Sequence, residues 1–239
     1  MEETIIIRYS ELVKKLKTIK EMGYIKTHRI GNTGIGKTLE DLLGIDENNV
    51  PGPNCAMIEL KSARKNVKSM LTLFTKSPFP RGTNSLLLER FGYESDWGTK
   101  RLETTVNAIT YNQIKGKIGF KIDIQKDRVN LITPKNEIVA YWNKETLKNS
   151  FERKLPKLLY VKAESRGKGA DEEFWFNEAW LLSGFDFDNF VQLLKEGTIL
   201  VDIRIGQYSD GRTHDHGTGF RVFPDKLDLC FSHRERIGF

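Results

Sequence analysis

Cysteine is nearly missing from this chain, with two residues in 239, Cys55 and Cys230. Two thiols cannot build a disulfide framework or a four-cysteine zinc site, so both are expected as free, buried side chains. Long apolar runs are missing as well. No stretch approaches the roughly 20 residues that span a bilayer, and Met1-Glu2-Glu3-Thr4 is no signal peptide. A soluble, cytoplasmic protein is expected. Acid is in deficit, since 38 Lys and Arg stand against 32 Asp and Glu for a net charge of +6, a balance that suits a polyanionic partner. There is no repeat, low-complexity tract or clear linker. With 38% hydrophobic and 29% charged residues the chain has a globular composition. Its length allows one large domain or two interleaved lobes.

Helices and strands are both legible. Leu12, Leu16, Ile19 and Met22 recur at helical spacing between a capping Ser10 and Gly23, which predicts an amphipathic helix over 10–22. A short helix is predicted over Thr38–Leu43 and strands over Ala56–Lys61 and Met70–Thr75. Leu86–Leu88 is read as helical, and residues 117–124, 128–133 and 137–142 as a meander of strands. Helices at 145–153 and 187–195 and strands at 158–163 and 174–180 follow. Thr198–Tyr208 and Gly217–Phe223 read as a hairpin around the polar loop 209–216. This mixture predicts an α/β or α+β fold.

Gly31-Asn32-Thr33-Gly34-Ile35-Gly36-Lys37-Thr38 satisfies every position of the phosphate-loop pattern G-x-x-x-x-G-K-[ST]. The context argues against a nucleotide hydrolase. A phosphate loop follows a buried parallel strand, which reads as a continuous apolar run, whereas Tyr24–Ile30 alternates apolar and polar residues. The one apolar run ending in an acid, Ile199-Leu200-Val201-Asp202, lies far downstream and continues into Ile203-Arg204-Ile205. No nucleotide cofactor is expected.

In Ala56-Met57-Ile58-Glu59-Leu60-Lys61 the two-residue period of a strand sets Glu59 and Lys61 on one face and Ile58 and Leu60 on the other. An acid beside a base suits metal-assisted phosphodiester hydrolysis. Carboxylates hold Mg2+, while a lysine orients the attacking water and stabilises charge on the phosphate. An ion pair on an exposed strand face is the plainer reading of the same residues. Nuclease strands of this kind carry a second acid a few residues earlier, and that position is Asn54.

Three segments, Gly31 to Glu40, Pro53-Asn54-x4-Glu59-x-Lys61 and Leu71–Pro78, together resemble the MutH-like nucleases of the PD-(D/E)xK class. The closer resemblance is to restriction endonucleases of the MvaI and BcnI type. A second block agrees with it, in which Val201–Gly206 and Thr213–Arg221 resemble a DNA-reading hairpin of that family. The match spans residues 20–92 and 197–223. It implies a PD-(D/E)xK core with a second, DNA-recognition lobe. Residues 1–92 would be mainly catalytic, and 93–239 would hold the remaining core elements and the recognition hairpin 197–223, the lobes interleaved. It further implies a prokaryotic, Mg2+-dependent type II enzyme acting as a monomer on double-stranded DNA at a C/G-rich, CCNGG-like site, beside a cognate DNA methyltransferase. Glu40 becomes an additional acid near the metal, and Glu59 and position 54 its ligands. The family has aspartate where this chain has Asn54, and a neutral amide is a weaker Mg2+ ligand. The site otherwise intact, Asn54 reads as an inactivating replacement made to hold DNA uncut. Two rivals remain, a MutH-like nicking enzyme of mismatch repair and a DNA-binding protein without catalysis.

The same resemblance assigns base reading to Asp202, Arg204, His214, Asp215, His216 and Arg221. Arginine can grip guanine O6 and N7, aspartate can accept from cytosine N4, and histidine can donate to guanine. Lys76 and Arg81, with Lys65 and Lys68, are candidates for phosphate or minor-groove contact. A zinc site of His214, His216, Cys230 and His233 fits no standard finger spacing.

Overall fold

The computed structural model describes residues 9–45, 58–65, 68–96, 98–155 and 157–238. The chain forms two compact units: Met1–Ser69, Arg153–Phe185 and Phe231–Phe239 make one, and Met70–Glu152 with Asp186–Cys230 make the other. The sequence division at residue 92 differs from this one. Strand Leu71–Thr75 and helix Thr83–Phe91 belong to the second unit because Leu71–Thr75 pairs antiparallel with Gly219–Val222 of the C-terminal hairpin.

The first unit is built on a five-stranded sheet. Its path runs Ile25–Lys26, Glu173–Ser183, Lys157–Arg166, Glu59–Arg64, and His233–Arg236 also pairs with Glu173–Ser183. Glu59–Arg64 lies parallel to Lys157–Arg166, with Glu59 opposite Leu158 and Lys61 opposite Tyr160. That pairing carries the strand on to Arg64, past its predicted end at Lys61, while residues 56 and 57 lie outside the described ones. One sheet face is closed by helices Tyr9–Glu21 and Gly34–Leu43, through Leu12, Leu16, Ile35 and Leu39 against Ile58, Leu60, Leu159 and Val161. At about 1.5–3 kcal/mol for each fully buried aliphatic side chain, this layer fixes the plane from which Glu59 and Lys61 project.

The second unit holds a six-stranded antiparallel sheet, with path Leu71–Thr75, Gly219–Val222, Ile199–Gln207, Lys100–Val106, Tyr93–Glu94. Thr213–Asp215 pairs with Ile199–Gln207 too, so part of the expected polar loop is strand. The central strand alternates as its sequence predicts. Ile199, Val201, Ile203 and Ile205 are buried in the core, and Asp202, Arg204 and Gly206 share the opposite face with cross-strand partners Thr105, Glu103 and Arg101. An aromatic cluster of Phe74, Phe151, Phe190 and Phe220 packs the unit, Phe74 stacked 5.0 Å from Phe220. The meander is present as Lys121–Ile124, Arg128–Ile132 and Ile138–Asn143. The stretch expected over 117–124 is interrupted after Lys117–Ile118, where Gly119 passes so close to Asn112 that a Cβ would lie 2.3 Å from its side-chain oxygen.

Candidate active site and nucleic-acid interface

Glu59 is 3% exposed, which excludes an ion pair on an exposed strand face. Lys61 Nζ lies 2.8 Å from its Oε1, and Lys154 Nζ 3.6 Å from Oε2. A buried carboxylate without a counter-charge is costly, and here two ammonium groups supply it. Oε2 nevertheless has no hydrogen-bond partner. A buried carboxylate oxygen left without a donor fits a cation ligand, since a hard divalent ion such as Mg2+ takes oxygen donors. Among the described residues no group of three or more His, Cys, Asp or Glu is placed to hold a metal ion, and Asn54 lies outside them. Glu40 and Lys61 line one cavity of about 300 Å³ together with Arg29, Lys37 and Ser62. Lys61 is thus ion-paired to Glu59 and shares a cavity with Glu40, while Glu59 does not line that cavity.

The glycine-rich segment delivers Glu40. Helix Gly34–Leu43 begins inside the motif, four residues before the predicted start. Gly34 makes this possible: a Cβ there would lie 2.2 Å from the Arg29 carbonyl oxygen. Arg64, on the strand of Glu59 and Lys61, forks onto Glu172 at 2.6 and 2.7 Å. Its outer nitrogens donate to the carbonyls of Gly31 and Asn32 at 3.3 and 3.5 Å. The turn is thereby tied to the strand. Lys37 and Thr38 are engaged locally. Lys37 Nζ sits 2.7 Å from Asp41, and the buried Thr38 hydroxyl donates to the Gly34 carbonyl and accepts from the His28 N–H. Hydrogen bonds from Lys37 and then His28 hold the Asp41 carboxyl below its ordinary value. The preceding strand is two residues long, antiparallel and at the sheet edge, which is not the setting of a phosphate loop.

On the second unit's polar face, Asp202 is fully buried. Its Oδ1 accepts from Thr105 at 2.9 Å, and its Oδ2 accepts from Arg204 Nε at 2.7 Å. Arg221 Nε is 2.9 Å from the same oxygen but too poorly aligned for a hydrogen bond, so this pair is a charge contact. Burial followed by the neighbouring Arg204 outweighs Asp202 and lowers the Arg221 pKa; at Arg204, burial is outweighed by Asp202 and Glu103 and the pKa rises. Asp202, without accessible surface, has no direct route to a base edge. It holds two guanidiniums side by side, 35% and 20% exposed. Asp215 is also turned inward, toward Ser77, Asn84 and two backbone amides. His214 and His216 are partly to fully open, their rings edge to face at 4.3 Å. Lys76 lines a cavity of about 310 Å³ with Asp215 and Thr218, and with Arg81 a second one of about 400 Å³. Lys65 sits instead 3.6 and 3.4 Å from Glu164 and Glu178, and Lys68 is exposed. Cys230 is buried, and burial pushes its thiol up to about 12.

Lys154, Arg64, Thr105 and Glu103 escape the sequence reading. Each acts on a partner 32 to 108 positions away, and no local pattern encodes such a partner.

A mixed sheet that presents Glu and Lys two residues apart beside a helix-borne Glu, joined to a second α+β unit, is the fold of a PD-(D/E)xK-type nuclease. The model of the MvaI/BcnI restriction endonuclease family matches residues 13–231, and the chain belongs to that family. Among solved structures it is similar to the restriction endonuclease MvaI in complex with its cognate DNA substrate, at 33% identity and TM-score 0.85 over the whole of both chains. It is also similar to MvaI in the absence of DNA, at 32% identity and TM-score 0.56 over 100% of this chain and 99% of that one. A comparison with curated proteins gave no match.

Proposed function

We propose that the protein is a type II restriction endonuclease that hydrolyses double-stranded DNA at a short C/G-rich site of the CCNGG kind, as a Mg2+-dependent monomer paired with a cognate methyltransferase. The observation that carries the catalytic half is the Glu59 carboxylate, buried beside Lys61 with one oxygen lacking any hydrogen bond. Glu59 and position 54 would hold the metal, and Glu40, on the cavity that Lys61 lines, adds a second acid. When bound, Mg2+ supplies positive charge to the scissile phosphate. Lys61 orients the attacking water and stabilises charge on the phosphate, so that the new P–O bond forms as the bond to the departing oxygen breaks. Arg204 and Arg221 grip guanines, with His214 and His216 as further base contacts. Asp202 and Asp215, both turned inward, act through the residues they hold. Lys76 and Arg81 meet the backbone or the minor groove.

Asn54 makes this chain an inactive form of that enzyme, because a neutral amide cannot balance the ion's charge as aspartate does. The test is plasmid digestion by the Asn54→Asp protein in Mg2+. Discrete fragments ending at C/G-rich sites are expected. A folded Asn54→Asp protein that leaves every DNA uncut overturns the reading and favours a DNA-binding protein without catalysis.

A further inference from the structure

Base reading by a neutral imidazole depends on which ring nitrogen holds the proton, since the protonated nitrogen donates and the bare one accepts. In His214 this choice has a neighbour. The Tyr208 hydroxyl lies 2.6 Å from His214 Nδ1, with ring centroids 4.7 Å apart. Tyr208 is itself held in place. Its N–H donates to the Arg212 carbonyl at 2.9 Å, and its own carbonyl accepts from Gly211 at 3.0 Å, closing a tight turn. The Arg212 guanidinium lies 5.6 Å from the centre of its ring and is anchored 2.7 Å from Asp210. On the other side, the His214 ring meets His216 edge to face. His216 in turn occupies space that only glycine leaves, because a Cβ on Gly206 would lie 2.5 Å from its Nε2.

We propose that Tyr208 is a positioning residue for base reading. Its O–H donates to Nδ1 of His214 and keeps the neutral ring's proton on Nε2. Of the two partners the phenol O–H is the more acidic and the imidazole nitrogen the more basic, so the proton between them belongs to oxygen. With Nδ1 occupied as acceptor, the Nε2–H is a donor. That suits guanine O6 or N7 and disfavours the cytosine amino group, which requires an acceptor. Tyr208 thus biases His214 toward one base before DNA arrives. The inference rests on His214 meeting DNA, as proposed above.

The test uses the full chain without Mg2+ and the variant Tyr208→Phe, which keeps the ring and removes the hydroxyl. With 15N-labelled histidine at alkaline pH, the His214 signals, assigned by their loss in His214→Ala, are expected to show the Nε2–H pattern. In Tyr208→Phe they are expected to move toward a mixture of tautomers. Titrations with a CCNGG duplex and a scrambled duplex should show the ratio of affinities falling roughly three- to tenfold, the worth of one neutral hydrogen bond. Unchanged His214 signals in Tyr208→Phe overturn the proposal. So does a moved tautomer with the affinity ratio intact while His214→Ala lowers that ratio. If His214→Ala itself leaves the ratio intact, the base-reading role of His214 has failed, and the proposal falls with it whatever the spectra show.

Discussion

Asp215 accepts four hydrogen bonds, two on each oxygen. Gly217 and Thr218 N–H groups reach Oδ1 at 2.9 and 2.7 Å, and Ser77 and Asn84 reach Oδ2 at 2.6 and 3.0 Å. Burial pushes its pKa up, but these donors outweigh burial and hold the carboxyl below its ordinary value. A group whose pKa is lower in the folded state stabilises the fold fully above its unfolded value, about 3.9, and loses that contribution as pH falls through the folded value. Asp215→Asn, which sets an amide NH2 against two of the four donors and removes the charge, should cost about 1–3 kcal/mol at pH 7. The gap between parent and variant should close in acid below about pH 4. Urea unfolding at neutral and acid pH measures it, and an equal gap at both removes the charge from the explanation. The sequence marks Asp215 as a polar residue in a hairpin. It cannot show that the residue faces inward, because Ser77 and Asn84 lie more than 130 positions away.

At the scale of elements, regular periodicity was legible and glycine was not. Helix Phe187–Lys195 appears with its predicted bounds, capped by the Asp186 side chain accepting from the Asn189 N–H at 2.8 Å. The strand alternation over 199–207 likewise follows its sequence. GNTGIGKT misleads because its glycines answer to packing. Gly34 touches the Arg29 carbonyl, whereas Gly36 is open, a Cβ there lying 3.9 Å from Ser62 Oγ. The two alanine variants should therefore differ in sign. Gly34→Ala forces the turn away from the helix and should destabilise the protein by about 1–3 kcal/mol or more. Gly36→Ala lies inside the helix and should be neutral or stabilising by up to about 1 kcal/mol, since glycine is the poorer helix former. Thermal melts of both variants decide it, and equal losses would mean that the close approach at Gly34 is not what shapes the loop.

For the whole molecule, the order of residues along the chain hides a separation of the two charged clusters into different units. The chain passes from one unit to the other at residues 69/70, 152/153, 185/186 and 230/231, so no single cut in the sequence isolates either. The Glu59–Lys61–Lys154 cluster lies in one unit and the Asp202–Arg204–Arg221 cluster in the other, with no residue shared among their ion pairs. Substitutions at sites without common partners add. In the Asn54→Asp background, Glu59→Gln or Lys61→Met should lower cleavage at least about 100-fold and leave specific binding in place, because the roles proposed for these groups are on the phosphate and not on bases. Arg204→Ala or Arg221→Ala should cost about 1–3 kcal/mol in binding the cognate duplex and much less on scrambled DNA. A double variant taking one change from each cluster should lose the sum of the two effects in kcat/KM under subsaturating DNA. The measurements are binding titrations at several salt concentrations and single-site cleavage rates. Parallel loss of binding and cleavage in Lys61→Met would make that cluster structural. Equal loss on both duplexes in the arginine variants, with a flatter salt dependence, would turn those arginines from reading bases to neutralising phosphates.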